Sequence, residues 1–135
     1  MSPERYVALA VAVVASLIIA FTIFKFAPKR LRRQYFANRW KRLQDRCSDE
    51  SQWVLAIIEA DNLLDEALKK KRFKGKSAGE RLVKAQKTFT NNDAVWFGHK
   101  LRTKLDANPA LKLTKNDVQK ALIGLRQGLK DIGAL

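Results

Sequence analysis

Residues 6 to 24 (YVALAVAVVASLIIAFTIF) form one unbroken apolar run with no charged position. At about 1.5 Å of rise per residue, a helix of this length covers roughly 28 Å, the thickness of a bilayer's hydrocarbon core. The pattern predicts a transmembrane helix over residues 6–26, after a short N-terminal stretch at 1–5. A cleaved signal peptide fits less well. Glu4 and Arg5 cancel where that signal needs positive charge, the run is long, and Phe24-Lys25-Phe26 stands where a small-residue exit belongs. Ala8, Ala12, Ser16 and Ala20 recur at every fourth position, giving the helix one thin side on which a second copy can pack.

From residue 31 onward the apolar positions follow helical spacing, with no strand-like alternation between turn residues, so the body is expected to be all-α. Pro28 separates it from the apolar run. Over residues 27–47, Phe36, Trp40, Leu43 and Cys47 share a face and Arg32, Arg39, Arg42 and Arg46 turn away from it. This stripe suits two roles equally: an interfacial helix with Tyr35 and Trp40 at headgroup depth, or the first helix of a bundle. Ser48-Asp49-Glu50-Ser51 supplies cap residues for a helix with Trp53, Ile57, Ala60, Leu64 and Leu68 on one face, ending at the basic stretch from residue 69. Ser77 and Glu80 form a capping box before Leu82, Val83, Ala85 and Phe89. Thr90 to Asp93 caps a helix with Val95, Trp96, Leu101 and Leu105, which stops before Asn108-Pro109. Thr114 to Asp117 starts the last one, with Val118, Leu122, Leu125, Leu129 and Ile132 as its seam. The expected architecture is one membrane helix followed by a four- to five-helix bundle over residues 48–135. On the last helix, Gly124 and Gly128 lie four apart, a second feature suited to close packing in a homodimer.

Charge adds orientation. The chain carries 27 Lys and Arg against 13 Asp and Glu, a net +14 that calls for an anionic partner, either nucleic acid or lipid. Nine basic residues between positions 25 and 46, against Asp45 alone, put +8 directly after the apolar run. By the positive-inside rule the body is cytoplasmic and the N-terminus outside, with Lys29, Arg30, Arg32 and Arg33 facing lipid. Six of the eight residues in Lys69–Lys76 are basic too, which reads first as favourable charge at a helix C-terminus. The single Cys47 excludes an internal disulfide and suits a reducing compartment. With only His99 beside it, the usual Cys/His zinc site is also excluded.

Motifs for chemistry are few: there is no Gly-rich phosphate loop and no nucleophile motif, and neither a metal nor another cofactor is expected. Asp61 and Asp65 lie one helical turn apart, a spacing for acid–base work, a hard cation or plain ion pairs with Arg102 or His99. Trp96, His99 and Arg102 follow at intervals of three along one side of their helix, presenting an imidazole and a guanidinium together.

Three stretches carry a family resemblance: Trp53-x3-Ile57-x2-Ala60-Asp61-x-Leu63-Leu64-Asp65, Gly79-Glu80-Arg81-Leu82, and Trp96-x2-His99-Lys100-Leu101-Arg102. Together they resemble small HEPN-like bacterial proteins, many with an N-terminal membrane span, over about residues 50–133. The resemblance implies a helical bundle, commonly dimeric, whose active members are metal-independent ribonucleases with an Arg followed after four to six residues by a His. Arg102 matches the Arg, but Thr103 follows it, and Ala107, Asn108 and Pro109 stand where the His belongs. A His of near-neutral pKa is the group suited to take the 2′-hydroxyl proton, so loss of ribonuclease activity is expected.

The leading expectation is therefore a membrane-anchored, catalytically inactive HEPN-like module. It would hold a phosphate-bearing ligand (RNA or a nucleotide) through Arg102, His99, Lys71, Arg72, Lys74 and Lys76, supported by Asp61, Asp65 and Trp96, or else bind a protein partner. The alternatives are a structural membrane adaptor whose basic segment binds anionic lipid, and a residual ribonuclease relying on Arg102 and His99.

Overall fold

The computed structural model describes residues 2–26 and 30–135. Helix α1 (Pro3–Phe26) begins a few residues before the apolar run, because Pro3 is tolerated in a first helical turn. The helix is long and apolar enough to cross a membrane, and every side chain described in it is exposed. The expected roles of Pro28 and Lys29 lie outside the described residues.

The bundle consists of α2 (Arg33–Arg46), α3 (Trp53–Lys70), α4 (Ala78–Ala85), α5 (Asn92–Ala107) and α6 (Lys115–Asp131), with a 3-10 turn at Glu50–Gln52 leading into α3. No strand occurs among the described residues. Local capping explains where α4, α5 and α6 start. The Ser77 side chain accepts from the Glu80 amide, Asn91 from Ala94 and Thr114 from Asp117, each satisfying a donor that the first turn leaves open. Glu80 completes its side of the cap one residue early, accepting from the Lys76 amide at 2.6 Å.

Helix α3 is the central element, contacting α2, α4, α5 and α6. Of the two roles open to the α2 stripe, the structure shows the bundle one. Phe36, Trp40 and Leu43 are buried in one cluster with Leu63, Leu64 and Leu68 of α3, so the packed body begins at Leu31 rather than at residue 48. The α6 seam is buried as its spacing predicts, apart from a half-buried Leu122.

Two expectations are corrected. On α4, Leu82 and Ala85 are buried as expected, but Val83 is exposed and Arg81 is buried in its stead, because the helix lies with its 78–81–82–85 side toward α3. Gly124 and Gly128 do not form a face for a second copy. A Cβ on Gly124 would stand 2.2 Å from the Ala94 carbonyl oxygen of α5, and one on Gly128 would meet Val95 at 3.1 Å. The close backbone approach that these glycines permit is made inside the bundle, between α5 and α6.

Candidate binding site

The polar side of α3 is where chemistry-bearing residues converge. Asp61 sits in mid-helix, nearly sealed from solvent at 3% exposure, and α5 runs antiparallel beside it. Both oxygens of Asp61 lie 3.1 Å from His99 Nδ1, and Oδ2 also accepts from Arg102 Nη1 at 3.2 Å. A carboxylate oxygen accepts, so this contact is a hydrogen bond when Nδ1 is the protonated ring nitrogen that donates it. The ring's other nitrogen faces Gly79 of α4, where a Cβ would come within 3.8 Å of Nε2. Trp96 packs edge-on against the imidazole with ring centroids 5.6 Å apart. The Asp61 hydrogen bond raises the His99 pKa above its ordinary value, and that contribution outweighs the opposing effect of burial.

Arg102 is tied down on several sides. Its Nη1 also donates to Asn62 Oδ1 at 2.7 Å, and Nε lies 2.8 Å from Asp106 Oδ2 in a charge contact whose N–H direction misses hydrogen-bond alignment. Asp65, one turn beyond Asp61, does not join this cluster. Arg81 of α4 clamps it in a fork, Nε to Oδ1 at 2.6 Å and Nη2 to Oδ2 at 2.8 Å, and uses Nη1 to hold the Gly75 carbonyl. Burial pulls the Asp65 carboxyl upward, but the Arg81 hydrogen bonds and charge, with Lys69, outweigh it and leave its pKa below the usual value. The oxygens that would serve a hard cation are thus taken by side chains. Among the described residues no group of three or more His, Cys, Asp or Glu converges as a metal site. The gap between Asp61, Asp65, Ala78 and Leu82 has no room for a water molecule.

The residues expected to share a phosphate do not come together. Arg102 bonds to positions 61 and 62, whereas the basic turn begins at Lys69, eight residues further along α3 or about 12 Å up its axis. Lys71 is half-buried there, and Arg72, Lys74 and Lys76 are exposed. Arg30, Arg32 and Arg33 are exposed just before and at the start of α2. A larger opening, a cavity of about 370 Å³, lies between α2 and α6, walled by Trp40, Leu43, Cys47, Leu122, Ile123 and Arg126, away from the His99 cluster. Burial pushes the Cys47 thiol pKa up, which lowers its reactivity.

Arg81 is the polar residue that the sequence reading overlooked as a site member. Its position on the same helical face as Ala78, Leu82 and Ala85 was the available signal, since a lone Arg on an apolar face needs a buried acid. Comparison of the chain with protein-family models, curated proteins and solved structures found no match, so the HEPN resemblance stands on the quoted residues alone.

Proposed function

We propose that the protein is a single-span membrane adaptor, with a helical body on the cytoplasmic side that works by binding rather than by catalysis. The observation that carries this reading is that His99 and Arg102 are both committed to Asp61. A ribonuclease of the HEPN kind needs a free imidazole on the far side of its Arg and a guanidinium open to phosphate. Here Ala107 occupies the first position, and Arg102 is held by Asp61, Asn62 and Asp106. The cluster therefore serves to join α3 to α5. RNA or nucleotide binding at Arg102 is disfavoured on the same ground, because the ligand would have to displace Asp61 from a buried position. The apolar, exposed α1 and the +8 segment after it support insertion with the body inside. A homodimer now draws support from the Ala8, Ala12, Ser16 and Ala20 stripe of α1.

The test uses the full chain with a C-terminal reporter in a bacterial host. The adaptor reading expects an alkali-resistant membrane protein, a reporter active only in the cytoplasm, and no cleavage of single-stranded RNA by the purified protein. Release from membranes by alkali, a reporter active only outside, or RNA cleavage abolished by His99→Ala would each overturn it.

A further inference from the structure

Helices α2 and α3 run antiparallel. Tyr35 and Arg39 meet Glu66 near the start of α2, and Arg46 pairs with Glu59 near its end. The topology therefore carries the first residues of the body back beside the last turn of α3. Arg30, Leu31, Arg32 and Lys70 line one cavity of about 280 Å³. Two basic clusters that are some forty residues apart in sequence thus form a single pole.

Lys70 shares Glu66 with Arg39, but the other described cations of this pole have no counter-charge of their own. Among the described residues, none of Arg30, Arg32, Arg33, Lys71, Arg72, Lys74 or Lys76 makes an ion pair with an acidic side chain. The nearby acids are already engaged: Glu66 with Tyr35, Arg39 and Lys70, Asp65 with Arg81 and Lys69, and Glu80 with the Lys76 amide.

The turn's shape is fixed. The Phe73 amide bonds the Leu68 carbonyl and the Arg72 amide bonds the Lys69 carbonyl, the two bonds of a Schellman helix end, and Phe73 packs onto the core. Such an end needs a left-handed residue. After α6 it is Gly133, with φ +85°, but after α3 it is Arg72, with φ 64°. A side chain there is strained relative to glycine, and the residue that bears this strain is a cation.

Phe26 ends α1 and Arg30 opens the body, four residues on. Fully extended chain covers at most about 14 Å over that distance, so the pole lies within headgroup reach of the end of the span. Resting on the single-span reading above, we propose that this pole is a two-segment docking face for the phosphates of anionic lipid headgroups, with Arg30, Arg32 and Lys70 on one side and Lys71, Arg72, Lys74 and Lys76 on the other.

The test reconstitutes the full chain in lipid nanodiscs, zwitterionic alone or mixed with phosphatidylglycerol, and follows amide hydrogen exchange. Docking expects residues 30–35 and 70–76 to exchange more slowly in the anionic discs and to lose that protection in high salt. In the triple variant Lys71→Gln, Lys74→Gln, Lys76→Gln, the docking equilibrium should weaken on the order of a hundredfold, about fivefold per cation. Core amides of α3 and α6 should keep their rates, which separates lost docking from lost folding. Equal exchange in both disc types overturns the proposal. So does equal protection in zwitterionic discs by inorganic phosphate, which would make the pole a free-anion site, or by a short RNA, which would make it a nucleic-acid site. A chain that fails to stay in either disc overturns the single-span reading beneath it instead.

Discussion

Asp61 ties two helices together through one buried carboxylate, which holds an imidazole and a guanidinium from the neighbouring helix. In Asp61→Ala, Arg102 keeps Asn62 and Asp106, and His99 can shed its charge, so the loss falls short of that for an isolated buried ion. We expect about 2 kcal/mol of destabilisation, the range of a charged hydrogen bond, read from the urea midpoint. His99 adds a pH dependence whose sign follows from its raised pKa. Its contribution is fully present below about pH 6.5, the unfolded value, and is lost as pH rises through the higher folded value. Urea midpoints should therefore fall from pH 6 to pH 9 in the native chain, and His99→Gln should flatten that slope. An unchanged slope in the variant would remove the Asp61–His99 pair as its source.

At the scale of helices, the α5–α6 contact is the most exacting. A Cβ on Gly124 would run into the backbone of Ala94, at 2.2 Å from the oxygen and 2.6 Å from the carbonyl carbon, and backbone cannot turn aside as a flexible side chain can. Gly124→Ala should cost about 3 kcal/mol by forcing the two helices apart, seen as a lower melting temperature and faster amide exchange in both. The helices themselves were legible in the chain because their signals are local: Ser77, Asn91 and Thr114 cap the turns that follow them, and the apolar seam of α6 has the period of its own helix. What stayed hidden depends on partners distant in sequence. The α2 stripe of Phe36, Trp40 and Leu43 looks the same whether it meets lipid or α3. The Gly124 and Gly128 spacing looks the same whether its partner is α5 or another copy. Arg81 was legible only in part: its place on the apolar face of α4 calls for an acid, but that the acid is Asp65 depends on a partner 16 residues away. By contrast, the Asp61–Arg102 bridge and the Asp61–His99 bond were legible as alternatives, because both follow from helices that place one acid and two bases on facing sides.

For the molecule as a whole, the few residues between Phe26 and Arg30 change what affinity means. On the proposed single-span reading, a pole held this close to a bilayer would meet lipid as an intramolecular event, at an effective concentration that the tether sets and that no amount of dilution in solution lowers. Binding too weak to recruit a free protein is then enough to keep the body docked, so the cations need supply only a bias in how it is held. A flexible Gly-Ser insertion between residues 26 and 30 leaves every contact in the bundle intact. It should still reduce the docked fraction in anionic nanodiscs, with the effective concentration falling roughly as the −3/2 power of linker length once the chain exceeds the span it must cover. Protection at residues 70–76 that is indifferent to linker length would mean that the turn binds lipid strongly enough by itself. If the body docks as proposed, its orientation on the membrane would be governed by the length of a connecting segment as much as by the number of charges.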